Sequence, residues 1–443
     1  MALGAAHHTS ANRTGTVVNP ANIDPLALRD PAEREAALMA ALPAQLRAAA
    51  AQPALAATLA GIDPDAVTHR AALARVPVTR KHTLLERQQA AREAGPGGAH
   101  DPFGGFSAIG WRATGAVRRA RRVYQSPGPI YEPEGDRADY WRSARALQAA
   151  GFEAGDLVHN SFSYHLTPGA WILEGGALAL GCSVFPGGTG NTEQQLQAMQ
   201  HLQPDAYVGT PSFLRILLEK AAELGVALPR LRKALLSGEA FPPSLRDWLA
   251  ERGVAGFQAY ATAEFGVIAY ETAAREGLVV DEGVLVEIVR PGTDDPVADG
   301  EVGEVVVTAL HADYPLVRFG TGDLSAVLPG RCPTGRTNTR IKGWMGRADQ
   351  TAKVRGMFVH PSQVAEVLRR HPELGRGRLV VAGEMAADTL TLRVEAAARP
   401  AGLAEAVAGS VRDVTRLRAD VELLEPGSLP NDGKVIEDAR SYR

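Results

Sequence analysis

Hydrophobic and polar positions change rhythm three times along the chain. From about Ala138, apolar runs of four or five residues alternate with stretches of helical spacing, and the alternation predicts helix and strand in turn. The spacing predicts a helix over Tyr140 to Ala150, a strand over Asp156 to Phe162, a helix over Gly169 to Leu180 and a strand over Cys182 to Phe185. A helix at Thr192 to His201, a strand at Ala206 to Gly209, a helix at Phe213 to Leu224 and a strand at Lys233 to Ser237 follow. Strands separated by helices of about ten residues specify βαβ units and a parallel sheet. Between Leu278 and Leu310 three apolar runs separated by Gly, Pro and Asp predict antiparallel hairpins. Beyond Ala348 the expected elements are a helix (Pro361 to Arg370), two strands (Gly377 to Ala382, Thr389 to Glu395), a helix (Leu403 to Leu417) and a strand (Asp420 to Leu424).

Ahead of this pattern, Pro31 to Ala60 is alanine-rich with Leu and Met at helical spacing, and Pro43 and Pro53 are expected to divide it into short helices. Val76 to Gly110 is dense in Gly, Pro and polar residues and reads as loop. The expected fold class is therefore α/β. A large N-terminal domain (1–347) carries the βαβ units and a β-rich subdomain, and a small, mobile C-terminal α+β domain occupies 348–443.

Composition narrows the function. Forty-seven Lys and Arg against fifty Asp and Glu leave a net charge of −3, which disfavours a nucleic-acid partner. With 45% hydrophobic and 22% charged residues the chain can bury a large core. Ala170 to Phe185 is too short and too rich in glycine for a membrane span, and the first twenty residues lack the pattern of an export signal. Cys182 and Cys332 stand 150 positions apart and make no disulfide framework. A cytoplasmic protein with no membrane partner is the expectation.

Four motifs carry candidate chemistry. Tyr314 to Leu324 places Gly320, Gly322 and Asp323 after a strand-like run, where the acid would accept ribose hydroxyls or merely cap a turn. Gly343 to Gly356 packs charged groups between glycines, as a hinge or a solvated linker would. Ser428 to Val435 puts Lys434 beside a Gly-containing turn, within reach of an anion or simply in solvent. Tyr260 to Gly266 offers an aromatic face and, four residues on, the carboxylate of Glu264, an oxygen ligand suited to Mg²⁺. Gly187 to Thr192 looks like a phosphate loop but lacks the Gly-Lys-Ser/Thr ending, and is read as a turn capped by Thr192.

In this order the four motifs resemble the adenylate-forming ligase superfamily, and most closely its phenylacetate-CoA ligase branch. The likeness extends from Val76-Pro77-Val78-Thr79 through Asn160 to Gly169, Pro186 to Glu193 and Ser237-Gly238-Glu239-Ala240-Phe241-Pro242 to Lys434. The resemblance implies that Tyr260 lies against adenine, that Ser237, Gly238 and Glu239 border the adenine and acyl pocket, and that Asp323 and Arg347 hold the ribose. It implies that Glu264 holds Mg²⁺, that Asp349 is the hinge and that Lys434 serves adenylation. Phe162, Tyr164, His165 and Trp171 are the acyl-pocket candidates, although His165 is equally well a structural histidine; their aromatic surface points to an aryl or other apolar acid. The implied partners are a small carboxylic acid, ATP and CoA, with Mg²⁺ as cofactor; a homodimer is left open. Some relatives bind zinc near the position of Cys332, but the pairing cysteine is missing, so no zinc is expected.

One departure stands out. Relatives carry a Ser/Thr/Gly-rich loop ending in Lys-Pro, whose amides grip phosphates. Here the corresponding stretch is Tyr124-Gln125-Ser126-Pro127-Gly128-Pro129-Ile130-Tyr131-Glu132, with two amide donors lost to proline and Glu132 where lysine is expected. In a working enzyme Glu132 should face solvent or pair with Arg121, Arg122 or Lys353. The leading expectation is an ATP-dependent acid-CoA ligase. The alternative is a nucleotide- or acyl-CoA-binding homologue that has lost acid activation.

Overall fold

The computed structural model describes residues 24–94, 101–111, 119–345, 347–348, 352–355, 357–359, 361–383, 388–430 and 434–440. The proposed hinge, Asp349, lies outside the described residues.

A nine-stranded mixed sheet runs through the larger part of the chain. Its parallel half is ordered Ser183–Pro186, Leu157–Asn160, Ala206–Gly209, Lys233–Leu236, Ala255–Thr262. Helices cover both faces of this half, as parallel strands require. Gly169–Ala179 and Ala144–Ala149 build one core with Val158, Ala206, Leu235 and Phe257. Thr192–Leu202, Pro211–Glu223 and Pro243–Glu251 build another around Tyr207, Ala234 and Leu236. The predicted strands and helices of this region are present to within a few residues. The first helix starts later than expected, at Ala144, because Asp139 (φ 47°) and Arg142 (φ 61°) take left-handed backbone ahead of it. Asn191, itself left-handed, precedes the helix Thr192–Leu202 and makes no side-chain cap, so Thr192 is its first residue and not its cap.

From Ala255–Thr262 the sheet turns antiparallel through Gly266–Glu271 and Leu278–Val280. The three apolar runs between Leu278 and Leu310 pair antiparallel, as expected, but they divide between two sheets. Leu278–Val280 joins the nine-stranded sheet, whereas Val284–Val289 pairs with Gly303–Ala309 in a separate four-stranded sheet with Phe319–Ser325 and Thr79–Arg80. All six residues of Val284–Val289 are buried, which explains why alternation could not assign its sheet. Asp323, expected in a turn, is inside the strand Phe319–Ser325.

Two more expectations fail near the N-terminus. Pro43 sits inside an unbroken helix, Pro31–Ala50. Leu38, Met39, Leu42 and Leu46 from both sides of it enter one core with the four-stranded sheet, and that burial outweighs the roughly 3 kcal/mol that an interior proline costs. The stretch read as loop contains the thirteen-residue helix Lys81–Glu93. It buries only Leu84 and Gln88, and Gln88 clamps a β-hairpin by donating to Tyr131 O (2.9 Å) and accepting from Tyr131 N (2.7 Å). A helix docked through an amide leaves almost no apolar periodicity to detect. Arg318, fully buried at φ 43°, pairs with Glu287 at 3.0 Å and donates to the carbonyls of Ala74, Val76 and Asp294. That one side chain ties the N-terminal helices to the four-stranded sheet.

The chain from Ala352 onward has its own core. Val364, Val367, Leu379, Leu392, Val407 and Val411 pack the helices Pro361–Arg370 and Leu403–Thr415 on a sheet ordered Asp420–Leu424, Thr389–Ala396, Leu374–Ala382, Ile436–Asp438. The predicted elements here are all found, with three additional strands among the described residues: the antiparallel pair Ala352–Val354 and Met357–Val359, and Ile436–Asp438 shortly after Lys434.

Candidate active site

Asn160, Gly209 and Leu236 end successive parallel strands, and Ser237 and the Thr262–Gly266 turn continue from that edge. The carboxyl edge of a parallel sheet is where α/β proteins present ligand groups, because the chain leaves each strand there in a loop. Ser237 is buried and donates its amide to Gly209 O (3.2 Å). Gly238 takes positive φ (81°), and Glu239 accepts a 2.5 Å hydrogen bond from Ser212 Oγ.

The four-stranded sheet brings Asp323 to this edge. Its Oδ2 accepts from Tyr260 Oη (2.9 Å), and its Oδ1 accepts from Trp344 Nε1 (3.1 Å) and Arg347 Nη1 (3.0 Å). Thr321 Oγ1 lies 3.1 Å from the same Tyr260 hydroxyl. Tyr260, Asp323 and Arg347, singled out separately in the sequence, therefore form one cluster. Trp344 is a fourth member that the sequence reading missed, since a tryptophan between glycines gives no signal for an N–H aimed at an acid.

Glu264, only 3% exposed, meets Lys81: Nζ lies 2.7 Å from Oε1, a close ion contact not aligned as a hydrogen bond. Burial would raise the Glu264 carboxyl, but the ammonium outweighs it and holds the group below the usual carboxylate range. Burial would likewise depress Lys81, and the Glu264 charge overrides that and holds the ammonium above its ordinary value. Lys81 is the first residue of the unforeseen helix, so a sequence read as loop there gave no reason to select it.

Glu132 corrects the expectation attached to it. It neither faces solvent nor pairs with Arg122, whose guanidinium goes to Glu134 at 2.6 Å. It is fully buried, with Oε1 accepting from Ser126 Oγ (2.7 Å) and Oε2 without a hydrogen-bond partner. Burial and the nearby Glu264 charge push its carboxyl well above the ordinary range, against the opposing pull of Ser126 and Lys81. The physical reason lies in the hairpin: Arg122–Ser126 and Ile130–Glu134 pair in register, and alternation turns Glu132 inward beside Ile130 and Glu134.

The acyl-pocket candidates are more polar in context than in sequence. Tyr164 and Trp171 meet edge to face at 5.1 Å, but the Tyr164 hydroxyl donates to Glu174 (2.7 Å) and Arg122 covers the Trp171 ring at 4.1 Å. Phe162 packs at the margin of the core, and His165 is exposed on the loop beyond it. Lys434 is exposed and stands two residues before the start of the strand Ile436–Asp438. Cys332 Sγ rests against the hydroxyls of Thr272 (3.3 Å) and Thr334 (3.1 Å). Among the described residues no group of three or more His, Cys, Asp or Glu is placed to hold a metal ion, and no helix is long and apolar enough to cross a membrane.

Comparison with known proteins identifies the family and the fold. Residues 140–311 match the family model of the AMP-binding enzymes, and 356–439 match that of the AMP-binding enzyme C-terminal domain. The phenylacetate-coenzyme A ligase of Thermus thermophilus is 30% identical over 401 residues, which cover 84% of this chain and 87% of that protein. The enzyme of the same name from Escherichia coli is 28% identical over 85% of this chain and 87% of its own length. Among solved structures, 2-hydroxyisobutyryl-CoA ligase with its adenylate and CoA in the thioesterification state superposes with a TM-score of 0.78 at 27% identity, covering 97% of this chain and 96% of that one. The same ligase in the postadenylation state gives 0.67 at 26% identity, over 96% and 95% of the two chains.

Proposed function

This chain belongs to the AMP-binding enzyme family, in its phenylacetate-coenzyme A ligase branch, and from that premise we propose that it is an ATP-dependent acid-CoA ligase. ATP and a carboxylic acid give an acyl-adenylate and pyrophosphate, and the CoA thiol then displaces AMP to leave the thioester. The observation that carries the reading is the cluster at the sheet edge, where Asp323, Tyr260, Trp344 and Arg347 form one hydrogen-bonded unit. A buried acid with several fixed donors is a preorganised acceptor for ribose hydroxyls. Because the Tyr260 hydroxyl is tied to Asp323, the aromatic side chain assigned to adenine and the acid assigned to ribose are fixed relative to one another.

Glu264 fits Mg²⁺: it is a buried, ionised carboxylate whose charge is at present met by Lys81, an oxygen of the hard, charged type that Mg²⁺ selects, whereas burial and the Glu264 charge favour the neutral form of Glu132. Glu264 would hold the ion, and when bound it would offset charge on the phosphates. Lys81 keeps Glu264 ionised whether or not a cation is present. Lys434 acts by electrostatics, placing a positive charge where the α-phosphate becomes more anionic during adenylation.

The two halves of the chain divide the work in this reading. Residues 1–347 bind nucleotide and acid; 348–443 turn about Asp349 to exchange Lys434 for the surface that admits CoA. Supporting this are the self-contained core from Ala352 to Ile436 and the unequal superposition on two states of one relative. The substrate class follows from the acyl candidates: Phe162 and Trp171 offer aromatic surface, while Tyr164, Glu174 and Arg122 beside them favour an aryl acid with a polar substituent. The test is release of AMP with aryl and short-chain acids, with and without CoA, in the presence of Mg²⁺. CoA-dependent release with an aryl acid is expected. Folded protein that binds AMP but releases none with any acid would move the assignment to a binding homologue.

A further inference from the structure

The strand Leu374–Ala382 carries a buried arginine that no part of the ligase chemistry has used. Arg378 is 6% exposed, and its guanidinium faces the loop that bears Lys434. Its Nη2 donates to Pro430 O (3.3 Å), its Nε to Lys434 O (3.2 Å) and its Nη1 to Glu437 Oε2 (3.2 Å). The two carbonyls are four positions apart in the chain, so one planar group links Pro430 to Lys434. Behind it the backbone is fixed independently: Leu379 N donates to Val435 O (2.9 Å), and Leu379 pairs with Ile436 in parallel register. Ahead of it, Glu395 Oε1 accepts from Leu429 N (2.9 Å) and pairs with Arg376.

We infer that Arg378 is a positioning residue for adenylation, holding the carbonyls of Pro430 and Lys434 together so that the Lys434 ammonium is presented from an anchored backbone. The inference rests on the adenylation role given to Lys434 above. Guanidinium suits this task because its donors are fixed in one plane and diverge towards separate acceptors, which a lysine ammonium on a flexible stem cannot imitate. Burial of the guanidinium limits the competition of water for its donors. Lys434 is long and flexible, so the loop geometry decides how often its charge reaches the phosphate. Displacement of a reacting group by about 1 Å can cost about 10²-fold in rate.

The experiment compares wild type, Arg378→Gln, Arg378→Lys, Lys434→Ala and the Arg378→Gln/Lys434→Ala double variant. Adenylation is read as acid-dependent pyrophosphate exchange with the best acid of the AMP-release panel, and the second half-reaction as thioester formation from supplied acyl-adenylate. Arg378→Gln and Arg378→Lys should each lower the exchange rate by roughly 10- to 100-fold while thioester formation changes by less than about threefold. In the Lys434→Ala background Arg378→Gln should have no further effect on exchange, because the charge it positions is gone. Hydrogen exchange at amides 429–436 should quicken in both Arg378 variants, with the helix Leu403–Thr415 unchanged. Equal losses in both half-reactions, or additive losses in the double variant, would overturn the positioning role. So would unchanged exchange at 429–436, which needs no activity to observe. Should Arg378→Gln fail to fold, Arg378→Lys retains the buried charge and decides the matter alone. If wild type exchanges pyrophosphate but Lys434→Ala does so equally well, the reading of Lys434 falls and the positioning role falls with it, whatever the Arg378 variants do.

Discussion

Replacement of Asp323 by alanine tests whether the cluster at the sheet edge is a ribose site or a structural knot. An ionised carboxylate offers about four acceptor positions, and Tyr260, Trp344 and Arg347 occupy three. One remains for a ribose hydroxyl; a second would have to displace Trp344 or Arg347. A single hydrogen bond to a charged acceptor is worth about 1.5 to 3 kcal/mol. Asp323→Ala should therefore weaken AMP about 10- to 150-fold at 1.4 kcal/mol per decade. The same substitution also strands its donors, so the loss must be separated from damage to the site. Calorimetry with AMP and with 2′,3′-dideoxy-AMP achieves this, because the dideoxy nucleotide has nothing to give Asp323. Wild type should prefer AMP by roughly the same 10- to 150-fold, and Asp323→Ala should bind both nucleotides with nearly equal, weak affinity. If the variant loses the same factor for both, Asp323 acts only by holding Tyr260, Trp344 and Arg347, and the ribose assignment is refuted.

Two further substitutions probe the charges around the phosphates. Lys434→Ala should lower pyrophosphate exchange by at least about 10²-fold and leave thioester formation from supplied adenylate intact, since its charge acts on the developing phosphate anion; parallel losses would remove it from that role. Glu132→Gln should make the protein more stable above neutral pH. The folded-state carboxyl titrates well above its unfolded value, so the folded chain holds a proton that the unfolded chain has released, and wild-type stability declines as pH rises through that interval. Glutamine keeps the Ser126 contact without the charge, so urea midpoints at pH 8 should correspond to a gain of about 1 to 3 kcal/mol. The gain should vanish near pH 4, where both forms of the chain are protonated; a gain of equal size at the two pH values would show that charge is not its source.

The alternation of apolar runs was sufficient to place four of the parallel strands, most of their covering helices and the two helices and three strands that form most of the unit beyond Ala348, because each of these buries one face or one short run against its neighbours; the covering helix Pro243–Glu251 went unread. Motif order was sufficient to select Tyr260, Asp323 and Arg347 as candidates. It could not show that they touch, since Tyr260 and Asp323 are 63 positions apart and meet only where two sheets approach. What folding alone decided is polar and long-range. The helix Lys81–Glu93 docks through the Gln88 amide, Arg318 spans 244 positions to reach Ala74, and Lys81 finds Glu264. Hydrophobic periodicity records which face of an element avoids water, and it is silent on buried polar groups whose partners lie on other elements. Glu132 shows the same limit from the opposite side. Its sequence position implied a charge facing phosphate or solvent, whereas the register of a five-residue strand turned it into the interior, where desolvation and Glu264 govern its protonation.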